Sequence, residues 1–344
     1  MKVLITGNLG YVGTELSKYL NSSEYEVYGL DCGFYKDCLL DSSHEDIPTK
    51  IKDIRDLEIS DLSGFDAVVH LAALSNDPIG ELDSNLTYEI NRDAAVNSAE
   101  LAQQAGVSRF IFISTQSIYG VSSSNSELLE SSLKSPQTAY AQSKWEAEQI
   151  ILDKSTPLFT TMALRPSTVF GWSPRLRSDI VFNNLLLSGL SKGKIEVHSD
   201  GSPWRPIIHV EDLCVAIRLS LEANPKIVSG KSFNIGKLDG NYQVKDIANA
   251  AKQCIGDVEI KFNTELIVDP RSYKVSFISA RDNLGFEAER NLVESGMEIL
   301  SKIKSNSLSI ETLMGRMTNR LQQVSFLQRE GVLDDSLRFK FRVG

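Results

Sequence analysis

The stretch Val3-Leu4-Ile5-Thr6-Gly7-Asn8-Leu9-Gly10-Tyr11-Val12-Gly13 decides the fold. An apolar run suited to a buried strand turns through a G-x-x-G-x-x-G loop into a helical pattern over residues 11–21, which is how a dinucleotide-binding βαβ unit begins. Gly7 permits the tight turn, Gly10 lets the backbone approach a pyrophosphate, and Gly13 lets the helix lie close to the strand. Open N–H groups at the helix start face the phosphates. The whole loop, Gly7, Asn8, Leu9, Gly10, Tyr11, Val12 and Gly13, is therefore a candidate cofactor-binding segment.

Downstream, Asp31 ends a second apolar run, Val27 to Leu30, where a carboxylate can accept hydrogen bonds from both hydroxyls of an adenosine ribose. A 2′-phosphate would be repelled there, and only Lys36 lies near to offset it, so the pattern favours NAD over NADP. Asp53-Ile54 closes a third expected strand, residues 49–52. The pair suits an adenine contact, and Asp53 suits equally the N-cap of a helical turn over 55–59.

With 344 residues, 42% of them hydrophobic and 24% charged, the chain can bury a large core in one broad or two intimate domains. A net charge of −9 speaks against a nucleic-acid surface but leaves room for a local basic pocket. Cys32, Cys38, Cys214 and Cys254 show neither C-x-x-C spacing nor a histidine partner pattern, so no metal site or disulfide framework is expected. Met1-Lys2 runs directly into the first core strand and no apolar run approaches membrane-span length, which predicts a cytoplasmic protein without membrane association.

Apolar runs at 3–5, 27–30, 67–71, 110–113 and 161–164 alternate with helical patterns at 11–21, 85–105 and 137–154. This is the rhythm of an α/β fold with a Rossmann-type, doubly wound parallel sheet. The serine-rich stretch from Val121 to Pro136 interrupts it as a surface loop. After Leu164-Arg165-Pro166 the pattern changes. Residues 1–165 are expected to form the nucleotide-binding domain, with later segments returning to it, and 166–344 a smaller mixed α/β lobe with a helical C-terminal extension from Ser309.

Tyr140-Ala-Gln-Ser-Lys144 opens the helical pattern at 137–154, so the phenol and the ammonium share one face. An ammonium beside a phenol favours the phenolate and makes it a usable base for a sugar or alcohol hydroxyl. Upstream, the strand Phe110 to Ile113 ends in Ser114-Thr115, at the edge of a parallel sheet where ligands bind. Thr115 is the candidate substrate partner, and Ser114 suits a loop cap or a cofactor contact.

In this order the motifs resemble the extended short-chain dehydrogenase/reductase family, in its NAD-dependent nucleotide-sugar epimerase/dehydratase branch, over nearly the whole chain. The marks are Gly7-x-x-Gly10-x-x-Gly13, Asp31, Asp53-Ile54, His70-Leu71-Ala72-Ala73, Asn91, Ser114-Thr115 with Tyr119-Gly120, Tyr140-x-x-x-Lys144, Leu164-Arg165-Pro166 and Arg205-Pro-Ile-Ile-His209. The resemblance implies Tyr140 as base, Lys144 on the nicotinamide ribose, Thr115 at the substrate hydroxyl, and Leu71, Ala72, Ala73, Asn91 and Ser114 beside the cofactor. It makes His70 a core residue at a strand end. It also implies a nucleotide-diphosphate sugar held by Asn183, Arg205 and Arg271, whereas Arg175 and Arg177 read by default as solvated loop arginines, with a place facing the cleft as the alternative.

Sugar 4,6-dehydratases of this family carry an acidic pair after the threonine, and Gln116-Ser117 stands at those positions here. Neither side chain supplies a carboxyl proton, so the resemblance narrows to a C4 epimerase similar to UDP-glucose 4-epimerases. An NAD(P)H-dependent 4-keto-sugar reductase or a dehydratase, and a non-catalytic NAD-binding sensor or scaffold, are the alternatives. The helices at 85–105 and 137–154 match those that pair subunits in the family, which implies a homodimer.

Overall fold

The computed structural model describes residues 1–75, 83–121, 126–263 and 272–340. Among the described residues twelve strands follow in chain order: β1 Lys2–Thr6, β2 Glu26–Asp31, β3 Thr49–Ile51, β4 Ala67–His70, β5 Arg109–Ile113, β6 Thr160–Pro166, β7 Thr168–Phe170, β8 Lys194–Val197, β9 Trp204–His209, β10 Lys231–Ile235, β11 Asn241–Gln243 and β12 Glu259–Phe262. Seven make one parallel sheet in the order β10-β6-β5-β4-β1-β2-β3. The order reverses beside β1, so the carboxyl ends of β1 and β4 diverge and open a crevice. Strand β10, far along the chain, returns to this sheet. A three-stranded sheet, β11-β9-β7, and the pair β12-β8 build the smaller lobe.

Central strands such as β4 (Ala67-Val-Val-His70) and β5 (Arg109-Phe-Ile-Phe-Ile113) are buried at every position, as expected where helices cover both faces of a sheet. Helix α1 (Tyr11–Asn21), together with Val210–Glu222, covers one face. On the other lie α2 (Ala94–Gln104) and α3 (Ala139–Leu152). The helical pattern expected at 85–105 is one continuous run that passes through a π-helical segment, Glu89–Asp93, before α2. The C-terminal extension is two helices, Ile310–Met314 and Arg320–Arg329, rather than one; the second packs against the β2–β3 side of the large sheet, while Leu313 of the first lies in the core of the smaller lobe. Among the described residues no helix is long and apolar enough to cross a membrane. The four cysteines are free thiols, and no cluster of three or more potential metal ligands occurs among the described residues.

Helix α1 carries one costly group. Glu15 is 6% exposed, its Oε1 has no hydrogen-bond partner, and burial pushes its carboxyl from 4.5 up to about 7, an effect that Lys18 partly offsets. A folded-state value above the unfolded one means stability is full below pH 4.5 and is lost as pH rises through 7. Glu15→Gln removes that loss. The variant should be more stable than the parent by roughly 2–3 kcal/mol at pH 8.5 and nearly equal to it at pH 4.5. Thermal melts at both pH values check this, and an identical difference at the two would refute it.

Candidate active site

The carboxyl ends of the large sheet and the smaller lobe enclose a cavity of about 990 Å³. That is enough for two ligands of nucleotide size. Its floor is the glycine loop between β1 and α1. Gly7 has φ +77°, and a Cβ there would lie 2.8 Å from the Ala72 nitrogen; at Gly13 a Cβ would lie 2.2 Å from the Gly7 oxygen. Side chains at either position would push the loop off β4 or α1 off the loop. Gly10 is the N-cap of α1, and with no side chain to cap it, the first turn opens on the cavity.

Gly7, Gly10, Tyr11, Val12 and Gly13 line the cavity, whereas Asn8 and Leu9 do not. Both are buried beneath the loop: Asn8 Nδ2 donates to Thr49 Oγ1 at 2.7 Å, tying the loop to β3. Their side chains are structural, which corrects the expectation that the whole loop faces the cofactor. The Leu9 amide donates to Asp31 Oδ2 at 3.0 Å and the Gly33 amide to Oδ1 at 2.7 Å. Those bonds fix the Asp31 carboxylate against the wall of the cavity. Burial raises its pKa, and the two amides counter the shift.

Asp53 meets the capping reading, over a shorter turn than expected. Its side chain caps the 3₁₀ turn Ile54–Asp56 by accepting from the Arg55 amide and is gripped by the Arg55 guanidinium at 2.9 and 2.6 Å. Asp53 and Ile54 also line the cavity. Leu71, Ala72 and Ala73 line it from the end of β4, but Asn91 does not. Asn91 is fully buried in the π-helical segment, where it accepts from the Leu74 amide at 2.8 Å and donates to the Leu74 carbonyl at 3.1 Å. It shapes the loop that lines the cavity, so its place is behind the wall. His70 is a core residue, stacked between Phe110 and Phe112 and bonded through Nδ1 to Thr6 Oγ1 at 3.1 Å. Burial holds it neutral, with a pKa near 3.

Ser114, Thr115, Tyr140 and Lys144 meet on the cavity wall. Thr115 ends β5 and accepts from the Ser117 amide at 3.1 Å, capping the turn Gln116–Tyr119. The buried Ser114 Oγ has no hydrogen-bond partner among the described residues, which suits a contact to a bound ligand. Thr138 caps α3 by accepting from the Ala141 amide, and this sets Tyr140 and Lys144 one turn apart on the inner face. Lys144 is 2% exposed, and its Nζ lies 4.2 Å from the centre of the Phe112 ring. Burial brings its pKa down to about 7, opposed by the charge of Glu148. Glu148 is itself committed to a buried ion pair with Arg165. Gln116 is spent as well: it donates to the carbonyls of Arg165 (3.0 Å) and Ile235 (3.4 Å) and accepts from Ser167 Oγ.

On the side of the smaller lobe, Arg205 lines the cavity from β9, with Nη1 donating to the Trp204 carbonyl at 2.9 Å. Arg271 lies outside the described residues. Asn183 turns away from the cavity. It is fully buried, accepts from the Gly171 amide at 3.2 Å and donates to the Arg177 carbonyl at 3.0 Å, which corrects its expected place on the substrate. The next residue, Asn184, is the one on the wall. The two loop arginines are not solvated. Arg175, 1% exposed, joins Asp46 to the Tyr35 and Lys36 carbonyls and to Thr14 on α1. Arg177 pairs with Asp179 at 2.9 and 3.0 Å and lines the cavity, close enough to Tyr140 for their charges to interact. Tyr35, Tyr273 and Arg320 are further wall residues without a local sequence signal.

A glycine loop packed on an open helix start and a fixed carboxylate at the end of β2 define a dinucleotide site, and Tyr140 with Lys144 places acid–base groups in the same cavity. The family model for the NAD-dependent epimerase/dehydratase family matches residues 3–236, and the chain belongs to that family. NAD is accordingly its cofactor, and the glycine loop, Asp31 and the unpartnered Ser114 Oγ fit that group. The chain is 27% identical over 330 residues to the UDP-glucose 4-epimerase of Bacillus subtilis (strain 168), covering 86% of this chain and 94% of that one. It is 28% identical over 272 residues to an N-acetyl-alpha-D-glucosaminyl-diphospho-ditrans,octacis-undecaprenol 4-epimerase of Escherichia coli O157:H7, covering 77% and 73%. Among solved structures, MoeE5 in complex with UDP-glucose and NAD matches with TM-score 0.77 at 25% identity, over 90% of this chain and all of the other. A UDP-glucuronic acid 4-epimerase from Bacillus cereus matches with TM-score 0.75 at 23% identity, over 89% and 99%, a likeness of fold alone.

Proposed function

We propose that the protein is an NAD-dependent nucleotide-sugar epimerase that inverts carbon 4 of a nucleotide-diphosphate hexose. The observation that carries this reading is the shared cavity: the dinucleotide loop, Thr115, Tyr140, Lys144 and Arg205 line one cleft. When bound, NAD supplies a two-electron acceptor that takes a hydride from the sugar and gives it back. Tyr140 as phenolate takes the 4-hydroxyl proton while carbon 4 becomes a ketone, and returns the proton when the alcohol reforms. Lys144, one turn along α3, stabilises the phenolate, and Thr115 holds the sugar oxygen. Arg205, a planar fork suited to phosphate, anchors the diphosphate while the keto sugar turns its other face. The relatives' activities as 4-epimerases of diphosphate-linked sugars support this reading.

Dehydration needs an acid beside Thr115, and that place is filled by Gln116, whose amide is tied to Arg165, Ile235 and Ser167. Incubating the purified protein, without added cofactor, with uridine-, thymidine-, guanosine- and cytidine-diphosphate hexoses and following the products by NMR should show conversion to the C4 epimer with no net redox change. A product formed only on addition of NADH or NADPH would instead mark a keto-sugar reductase. Bound NAD with no turnover of any sugar would mark a sensor. We extend the proposal to a homodimer built on the α2 and α3 faces, which light scattering tests.

A further inference from the structure

The C-terminal extension brings to the cofactor cavity an arginine whose Nη1 has no hydrogen-bond partner among the described residues. Arg320 opens the helix Arg320–Arg329, is 1% exposed and lines the cavity beside Tyr35. Its guanidinium lies 4.4 Å over the Tyr35 ring, and Nη2 donates to the Arg175 carbonyl at 2.6 Å. Nη1 is buried and has no partner. Asp179, a carboxylate whose charge reaches Arg320, already has both oxygens on Arg177. A buried cation with an unmade hydrogen bond is costly unless a ligand completes it.

The position indicates which ligand. Arg175, whose carbonyl holds Arg320, is bonded through Nη1 to Thr14 on the first turns of α1, and the Ser173 hydroxyl beside it donates to the Tyr11 carbonyl at 2.9 Å. The charge of Arg320 reaches Tyr11 itself. Arg320 is thereby joined through Arg175 to Thr14 of α1, and it lines the same cavity as the open start of that helix, where N–H groups favour phosphate, while Arg205 belongs to the smaller lobe. The rest of the extension grips the same wall. Gln323 donates to the Phe34 carbonyl at 3.1 Å, Phe339 packs on Phe34, Arg338 reaches Asp56 at 2.7 Å, and Arg55 donates to the Ser336 carbonyl at 2.9 Å.

We propose that Arg320 is a ligand of the cofactor's diphosphate, so that docking of the C-terminal extension and retention of the dinucleotide reinforce each other. The proposal rests on the dinucleotide assignment and is independent of the reaction at the sugar. A diphosphate satisfies the unpaired Nη1 and the helix start together, and a charge-assisted bond from a buried guanidinium is among the stronger single contacts available. Binding energy is then shared by linkage: whatever stabilises the docked extension tightens the cofactor.

The test is calorimetric titration of nucleotide-free protein with adenosine, ADP and UDP, for the parent and for Arg320→Gln and Arg320→Lys. Arg320→Gln should weaken ADP at least about tenfold, leave adenosine and UDP unchanged, and be partly rescued in Arg320→Lys. In the parent, amide exchange over residues 319–329 should slow on addition of ADP and not of adenosine, a readout that survives if the variants fold poorly. Equal ADP affinity in a folded Arg320→Gln, or an equal loss for adenosine, overturns the proposal. A loss for UDP in place of ADP assigns Arg320 to the substrate's diphosphate and likewise overturns it. Failure of the parent to bind ADP or NAD at all defeats the dinucleotide assignment itself.

Discussion

Tyr140→Phe should lower turnover by roughly 10²–10⁴-fold while leaving NAD binding and thermal unfolding essentially unchanged. The substitution removes one oxygen from a half-buried ring at the start of α3 and keeps the aromatic surface in place, so the helix and its Thr138 cap persist. What is lost is the only proton acceptor the proposed reaction assigns to the 4-hydroxyl. Thr115 and Ser114 do not replace it, because neutral hydroxyls are far too weakly basic at neutral pH, and His70 is sealed in the core against Thr6, Phe110 and Phe112. Gln116 has no titrating proton. Single-turnover formation of NADH absorbance on mixing with the responsive sugar nucleotide, beside a cofactor-binding isotherm, separates the chemistry from binding. Undiminished turnover in a variant that still binds NAD would remove Tyr140 from the mechanism.

How much of this site could be read along the chain depends on the distance over which each residue acts. The glycine loop, Asp31 and the Tyr140–Lys144 pair are local: their geometry follows from one turn, one strand end and one helical turn, so type and spacing suffice. Asn183 shows where that logic slips by one residue. On the helix Val181–Lys192 a neighbouring position is rotated about 100° away, and the hydrogen bonds to Gly171 and the Arg177 carbonyl commit Asn183 to the packed side, leaving Asn184 on the cavity. Asn8 and Asn91 carried the right pattern for a different job, because a polar residue near a cofactor loop can serve the loop's backbone as readily as the ligand. Arg175 and Arg320 were beyond reach. Arg175 is buried against Thr14, Tyr35, Lys36 and Asp46, and Arg320 by the C-terminal extension folding back across the β2–β3 side, contacts between segments more than a hundred residues apart that no local pattern encodes.

Lys144→Met should give a protein that is inactive yet more stable than the parent at neutral pH. Burial takes the Lys144 pKa from 10.5 in the unfolded chain down to about 7, so the folded state binds this proton less tightly than the unfolded state does. The resulting destabilisation is fully present below pH 7 and is relieved as pH rises from 7 toward 10.5. Methionine has nearly the same length and shape, carries no charge, and can keep contact with the Phe112 ring that now faces the ammonium. The gain at pH 7 is expected to be roughly 2–4 kcal/mol, discounting the full shift for relaxation around the site. It should shrink as the pH is raised toward 10, where the parent lysine is already neutral in the folded state. Chemical unfolding of nucleotide-free parent and variant at pH 7 and pH 10 measures both ends of that window. The sign of the effect separates two roles for the residue: a lysine kept for packing would destabilise the protein on removal, whereas a lysine kept charged beside Tyr140 for chemistry is held there against the preference of the fold.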